Sequence, residues 1–252
     1  MSAVSTRLLR GVWFVLLTFV AVLVVEVWIA VRREYLPTEP ILEIGGTFGP
    51  ASGTPLRFAV LGDSTAAGVG AGTAANAYPT LLAERLADDG FRVKLTALGV
   101  SGARVADLEQ GQVARAQEAR PDLVFVAIGA NDVTHLTPLD DVEAGIRRAL
   151  EKLRSSGAVV VVAGAPDMRA PAFLEPLRSL AGWRGRRVAA TIEIVAEELG
   201  VASVPLAAET GHLFASDPER YHSADDFHPS ASGYRLWADA IYPVLSRALK
   251  DR

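Results

Sequence analysis

The 252-residue sequence predicts an α/β fold in which a parallel sheet is covered by helices on both faces. The strands are predicted by five short apolar runs, at 57–61, 93–98, 122–128, 158–164 and 201–206. The helices are predicted by the amphipathic stretches between and after them, at 78–89, 104–118, 140–155, 185–199 and 230–249. Alternation of strands and helices is typical of parallel sheets. The apolar runs are rich in Val, Leu, Ile and Ala, as strands buried on both faces should be.

A long apolar segment precedes this pattern. Residues 11–31 carry one charge, Glu26, and at ~1.5 Å per residue they match the ~30 Å hydrocarbon core of a membrane. Trp13 and Trp28 lie near the two ends, where amphipathic rings favour the membrane interface. We therefore predict that residues 1–33 form a single transmembrane anchor that meets the membrane through residues 11–31.

Two other interpretations of this segment are open. A cleaved signal peptide would have a shorter apolar core and a cleavage site between small residues, and neither is evident. A helix buried in a soluble protein would need a large core to cover it on all sides. The positive charges on the two sides give little preference for either orientation in the membrane, because two Arg flank each end of the segment. The N-terminal amine adds one positive charge and favours an N-terminus on the cytoplasmic side. The rest of the chain is then expected outside the cytoplasm, with Glu26 either protonated or close to polar groups at the far interface.

The segment 34–56 is rich in Pro and Gly, which predicts a linker without regular structure. The folded domain is then expected to cover residues 57–252, with no strand before Arg57. A chain that starts near Thr54 should accordingly keep its sheet and its activity.

The composition excludes several functions. The net charge is -4 and no basic stripe stands out, so nucleic acid is not an expected partner. The chain has no cysteine, which excludes disulfides, cysteine nucleophiles and thiolate metal sites. No pattern in the sequence indicates an oligomeric state.

Polar residues follow the predicted strands, and the loops at the carboxyl ends of parallel strands form one edge of the sheet. Ser64 comes directly after the first run, in Gly62-Asp63-Ser64. A serine at such a turn is a candidate nucleophile if a base lies within hydrogen-bond reach. The alternative is that the Asp-Ser pair only caps a helix.

His228 is the candidate base. Asp225 lies three residues before it, so a carboxylate could hold one ring nitrogen while the other takes a proton from Ser64. The alternatives are a solvated loop or a metal site, because His222 and Asp226 lie in the same seven-residue stretch. No further His or Cys supports a metal site, and we predict neither metal nor cofactor.

Two residues are candidate donors to a developing oxyanion. Asn131 follows the third run and carries an amide NH₂, and Gly102 allows close approach of its backbone N–H. The alternative for both is an ordinary turn.

The order of these residues resembles the SGNH hydrolases, also called GDSL esterases and lipases, over about residues 57–250. The four matching blocks are Gly62-Asp63-Ser64, Gly99-Val100-Ser101-Gly102, Gly129-Ala130-Asn131-Asp132 and Asp225-Asp226-Phe227-His228-Pro229. The resemblance implies a flavodoxin-like three-layer α/β/α sandwich. It also implies Ser64 as nucleophile, His228 as base and Asp225 as the orienting acid, with Gly102 and Asn131 as oxyanion donors.

Two positions depart from the family pattern. Thr65 stands where leucine is usual, and Ala97 stands where the second block often has asparagine, so the Gly102 loop is expected to lose a side-chain brace. The resemblance implies a serine hydrolase that cleaves a carboxylic ester of a lipid, carbohydrate or other small molecule through an acyl-enzyme. An acyltransferase, a carbohydrate O-acetylesterase and a non-catalytic binding domain on a membrane tether remain as alternatives.

Overall fold

The computed structural model describes residues 3–39 and 41–251. In this part of the chain the strands are β1 Gly45–Phe48, β2 Thr54–Gly62, β3 Phe91–Ala97, β4 Leu123–Ala127, β5 Val159–Ala163 and β6 Ala202–Val204. The α-helices are α1 Ala3–Arg32, α2 Tyr78–Asp88, α3 Val105–Asp107, α4 Val113–Glu118, α5 Ala130–Thr134, α6 Leu139–Ser155, α7 Leu177–Glu198, α8 Leu206–Ser216, α9 Pro218–Tyr221 and α10 Ala231–Lys250. A 3₁₀ turn covers Ala74–Asn76 and a π-helical turn covers Leu108–Gln112.

The strands form one sheet in the order β1-β3-β2-β4-β5-β6. Strands β2 to β6 are parallel, which confirms the predicted parallel sheet. The predicted count of five strands is wrong, because β1 adds an antiparallel edge strand beside β3, with Gly45 opposite Thr96.

The prediction that no strand begins before Arg57 is also wrong, and so is the expectation that a chain starting near Thr54 keeps its whole sheet, since such a chain would lack β1. Strand β1 lies inside the Pro- and Gly-rich segment, and β2 begins at Thr54. The residues of β1 are mostly exposed and have no apolar run, so only pairing with β3 makes them a strand.

Successive residues of the central strands face opposite sides of the sheet, and each side has its own core. Ala59 and Leu61 pack with residues of α6 and α7 on one face. Phe58 and Val60 pack with residues of α2 and α10 on the other. These two cores make the three-layer α/β/α sandwich that the sequence predicts.

Some helices differ from the predicted ones. The stretch predicted as one helix at 104–118 is interrupted by the π-helical turn, and α7 begins at Leu177, well before the predicted start at 185. Gly182 and Gly185 lie within α7 and weaken the helical pattern of its first turns. Helix α8 begins at Leu206, the last residue of the run 201–206 that predicted the last strand, and the sequence pattern did not separate the strand from the helix.

Helix α1 contains a stretch, Leu9–Arg32, that is long and apolar enough to cross a membrane, with a mean hydropathy of 2.7. By length and composition it fits either an anchor or a signal sequence. Its one acidic residue, Glu26, is only 6% exposed and accepts a hydrogen bond from the backbone N–H of Leu177 at 2.8 Å. That N–H belongs to the first residue of α7, where a carboxylate is favoured by the helix dipole.

Candidate active site

The candidate residues gather at the carboxyl edge of the sheet. Ser64 follows β2, Gly102 follows β3 and Asn131 lies in α5 directly after β4, and these three strands are neighbours. His228 comes from the loop before α10, and it lines one cleft together with Ser64 and Asn131. Asp225 lies in the same loop as His228 and is buried, with 4% exposure.

Ser64, His228 and Asp225 form a continuous chain of hydrogen bonds. The Ser64 Oγ lies 3.0 Å from His228 Nε2, and His228 Nδ1 lies 2.6 Å from Asp225 Oδ2. An ionised carboxylate only accepts hydrogen bonds, so Nδ1 carries the proton and Nε2 faces the serine as an acceptor. The arrangement can therefore take the hydroxyl proton of Ser64 as the oxygen attacks a carbonyl carbon.

Asp225 is held ionised by many donors. Its Oδ1 accepts the backbone N–H groups of Phe227 and His228, each at 3.0 Å, and the Ser223 hydroxyl at 2.9 Å. Its Oδ2 accepts the His228 ring and the Leu36 N–H, the latter at 3.1 Å. Burial alone would raise the pKa of Asp225, but these donors outweigh it and hold the pKa well below its usual range.

The neighbouring acid points elsewhere, as the spacing of three between Asp225 and His228 predicts. Asp226 Oδ2 lies 2.5 Å from the Arg33 guanidinium, and its backbone has a φ of 58°.

The His222 Nδ1 faces a backbone carbonyl at 3.2 Å. Within the described residues, no group of three or more His, Asp or Glu is arranged to hold a metal ion.

The Gln112 side chain, which is 2% exposed, holds the end of β2 just before the turn that carries Ser64. Its Oε1 accepts the Gly62 N–H and its Nε2 donates to the Gly62 carbonyl, both at 2.8 Å. A Cβ at Gly62 would lie 2.2 Å from the Ala127 carbonyl oxygen, so only glycine fits there. Sequence reasoning missed Gln112, although its spacing of four from buried Leu108 places a polar residue on an apolar helix face.

Thr65, the departure in the first block, has a local partner. Asp63 Oδ1 accepts both the Thr65 N–H at 2.9 Å and its hydroxyl at 2.8 Å. Burial raises the pKa of Asp63, although the two bonds from Thr65 act in the opposite direction. These two hydrogen bonds between Asp63 and Thr65 close a tight turn around Ser64. A leucine at position 65 could make only the first of them, the one from the backbone N–H.

The candidate oxyanion donors are tied to one another. Asn131 Nδ2 donates to the Ala103 carbonyl at 3.0 Å, and fully buried Asp132 accepts the Val105 N–H, also at 3.0 Å. Gly102 has a φ of 81°, a conformation that favours glycine. The Gly102 loop thus has two side-chain braces from the third block, in place of the one that Ala97 cannot supply.

These donors have capacity left for a substrate. Among the described residues, the backbone N–H groups of Ser64 and Gly102 donate to no other protein group. Asn131 uses one amide hydrogen on Ala103, which leaves the second for another acceptor. The cleft is therefore lined by a serine, a base and the unused donors of Ser64 and Asn131, whereas Gly102 lies in the loop after β3 and is not among the residues that line it.

The walls of this cleft are mainly apolar. Met168, Phe214, Phe227 and Trp237 line it beside the Ser64 hydroxyl. The Asp167 carboxylate, which also lines the cleft, is neutralised by an ion pair with Arg169. The part of the cleft that these four side chains line is therefore apolar.

The model of the GDSL-like lipase/acylhydrolase family matches residues 60–236, a range that includes all five candidate residues. This chain belongs to that family. The family is one of ester-hydrolysing enzymes, so both the resemblance to SGNH hydrolases and the predicted enzyme class are confirmed at the level of the family.

Two relatives and two solved structures agree with this assignment. The chain is 36% identical over 201 residues to a GDSL-like esterase of Mycobacterium tuberculosis, and this match covers 77% of the chain but only 62% of the relative. It is 26% identical over 196 residues to esterase TesA of Pseudomonas aeruginosa, covering 75% of the chain and 88% of TesA. The solved structure of TesA gives a TM-score of 0.65 at 22% identity, covering 76% of this chain and 99% of that one. The acetylxylan esterase Axe2 of Geobacillus stearothermophilus gives 0.59 at 21%, covering 79% and 96%. At these identities the two structures show the fold alone.

Proposed function

We propose that this protein is a serine esterase in which Ser64 is the nucleophile, His228 the general base and Asp225 the acid that orients it. The observation that carries the proposal is the chain of two hydrogen bonds, Ser64 to His228 at 3.0 Å and His228 to Asp225 at 2.6 Å. A buried, ionised carboxylate that pairs with no Lys or Arg among the described residues is costly, and its place behind His228 explains why it is kept.

The acylation step follows from this geometry. The Ser64 oxygen attacks the ester carbonyl as His228 Nε2 takes the hydroxyl proton, and the carbonyl oxygen becomes an oxyanion. The N–H groups of Ser64 and Gly102 and the free amide hydrogen of Asn131 stabilise that charge. When the intermediate collapses, the C–O bond to the leaving alkoxide breaks and His228 returns the proton to it as the alcohol departs.

Deacylation repeats the sequence with water. His228 takes a proton from a water molecule that attacks the acyl-Ser64 carbonyl, and then returns a proton to the Ser64 oxygen as the acid leaves. The mechanism requires neither a metal nor another cofactor. The apolar walls of the cleft favour an ester with a hydrocarbon acyl or alcohol group over a highly charged one.

We further propose that residues 1–33 anchor the enzyme in a membrane through residues 11–31 and that the hydrolase domain of residues 57–252 lies outside the cytoplasm. The apolar helix and the absence of a cleavage site between small residues support the anchor. Residues 34–56 connect the two parts and also supply β1 to the sheet.

Labelling with a fluorophosphonate tests the catalytic proposal. The wild-type chain should be labelled and should hydrolyse small aryl esters, whereas Ser64→Ala should do neither while keeping its far-UV circular dichroism. A wild-type protein that binds esters but is never labelled would indicate the non-catalytic alternative. Activity that a chelator removes would indicate a metal-dependent one. The anchor is tested separately by sequencing the N-terminus of the membrane-bound protein, since a start after residue 31 would exclude it.

A further inference from the structure

The segment that leaves the apolar helix contacts the loop of the proposed triad. Residues 33–36, here called the juxtamembrane segment, touch three consecutive positions of that loop, 225, 226 and 227. We propose that this segment is a positioning element that holds the orienting acid of the active site. The proposal rests on the assignment of Asp225 as that acid.

The first contact is with the carboxylate itself. All three donors to Asp225 Oδ1 belong to its own loop. Its Oδ2, the oxygen that faces the His228 ring, has the Leu36 N–H as its only other donor in the described part of the chain. Leu36 therefore restricts rotation of the carboxylate at the oxygen that matters for the imidazole, from a position 189 residues away in sequence.

The second contact holds the backbone of the loop. Arg33 pairs with Asp226 at 2.5 Å, and Asp226 is in the left-handed region, with a φ of 58°. Asp tolerates this conformation better than most residues, but it is not the preferred one. The ion pair adds a constraint on the residue that follows the orienting acid.

The third contact reaches the imidazole through aromatic rings. The Tyr35 ring meets Phe227 edge to face, with centroids 5.4 Å apart, and Phe227 meets the His228 ring in the same manner at 5.1 Å. The Tyr35 hydroxyl donates to the Ala30 carbonyl at 3.1 Å, which ties the segment back to α1. Three of the four residues of the segment, Arg33, Tyr35 and Leu36, thus reach the neighbour of the acid, the ring beside the base and the acid itself.

The apolar helix is fixed to the domain at a second point. Glu26 lies six residues before the end of α1, roughly 9 Å along its axis, and is buried against the start of α7 through the Leu177 N–H. Because residues 11–31 are proposed to lie in the membrane, this contact requires the start of α7 to lie at the membrane surface beside the last turns of α1, and it holds the juxtamembrane segment against the loop. A linker that only crossed the surface would need none of these polar contacts.

The Leu36 N–H can be removed without changing any other polar group. Leu36→Pro deletes the donor, and Leu36→Ala keeps it while shortening the side chain. Thr38→Pro is the matched control for an added proline, because Thr38, like Leu36, is adjacent to Pro37. Thr38 is exposed, and its N–H has no partner among the described residues. All variants are made in the full chain, purified in detergent and assayed on a small soluble aryl ester, with active sites counted by fluorophosphonate titration.

We expect Leu36→Pro to lower kcat per titrated site about tenfold to a hundredfold, with KM changed by less than about twofold, because misplacement by a fraction of an ångström affects the transition state more than binding. Thr38→Pro should match the wild type, and Leu36→Ala should lie much closer to the wild type than Leu36→Pro. Arg33→Met should lower kcat in the same sense, and Arg33→Lys should restore most of it.

A kcat of Leu36→Pro equal to that of the wild type would overturn the proposal. So would equal losses in Leu36→Pro and Thr38→Pro, or a loss explained entirely by fewer titratable sites, since either result would show a general effect on folding. If Leu36→Pro does not fold, the pair Arg33→Met and Arg33→Lys decides by the same criteria. A wild type that the fluorophosphonate never labels would instead refute the proposed esterase, which separates that failure from this one.

Discussion

Replacing Asp225 by Asn tests the assignment of the orienting acid most directly. Asn has the same shape and keeps a carbonyl oxygen for the Oδ1 donors of its own loop. Its NH₂ group would then face His228 Nδ1 and the Leu36 N–H, both of which donate to the carboxylate. To relieve this conflict the imidazole must accept at Nδ1, which moves its proton to Nε2, opposite the Ser64 hydroxyl.

The magnitude follows from that change of tautomer. With a proton on Nε2, His228 cannot take the Ser64 proton, and we expect kcat to fall roughly 10⁴-fold. At 1.36 kcal/mol per factor of ten, this is about 5.4 kcal/mol of lost transition-state stabilisation. The Leu36 N–H would also lose its acceptor, which adds a smaller cost to folding.

Asp226→Asn is the matched control. Asp226 is adjacent, its side chain is half exposed, and its left-handed backbone suits Asn as well as Asp. Steady-state kinetics per titrated site should show a large loss for Asp225→Asn and at most a severalfold loss for Asp226→Asn. The reverse order, or equal losses, would refute the reasoning and require a different acid behind His228.

The same substitution has a pH-dependent effect on stability. The pKa of Asp225 is lower in the folded chain than the ~3.9 of a free carboxyl, so its ionised form stabilises the fold above that pH and less as the pH falls below it. The free energy of unfolding of the wild type, measured by urea denaturation, should therefore exceed that of Asp225→Asn most at pH 5–7. The difference should narrow below about pH 4, and a constant difference down to pH 3 would contradict this account.

Three further predictions concern the rest of the site. Ser64→Ala and His228→Ala should each lower esterase turnover by a factor on the order of 10⁴ to 10⁶ without unfolding the domain, and near-normal turnover by a folded variant would exclude the mechanism. Asn131→Ala should lower kcat by roughly 10² to 10³ with little change in KM, because its amide meets charge only in the transition state, whereas a raised KM at constant kcat would make it a binding residue. Gln112→Leu should destabilise the fold by about 1–3 kcal/mol, because it leaves the Gly62 N–H buried without that acceptor while the Gly62 carbonyl keeps the Val100 N–H at 3.1 Å; a lower midpoint in urea is expected, and an unchanged midpoint would show that water replaces the amide.

Much of the fold could be predicted because its determinants are local. The apolar runs that became β2 to β6 carry the composition of strands buried on both faces, and the helices between them carry a regular apolar spacing. Strand β1 has neither property, since Gly45 and Gly46 contribute no apolar side chain and its pairing partner lies much later in the chain.

The chemistry of the candidate site was predictable for a similar reason. A nucleophile, a base and a carboxylate are recognised by residue type, and Ser64, Asp225 and His228 lie in short blocks whose place after strands indicates a common edge. Gln112 was missed because its spacing from Leu108 indicates only that it lies on the buried face of a helical turn, whereas its pairing with Gly62 depends on how that turn packs against β2.

The sequence by itself therefore determined the layers of the fold, the family and the residues that we propose to carry the reaction. Only the tertiary structure decided what holds them in place. The Leu36 N–H that reaches Asp225 is a backbone group, present at every residue except proline, so no residue type marks it. Likewise, nothing local in Arg33 or Glu26 indicates that one would pair with Asp226 and the other with the start of α7, because both contacts exist only once distant parts of the chain have packed together.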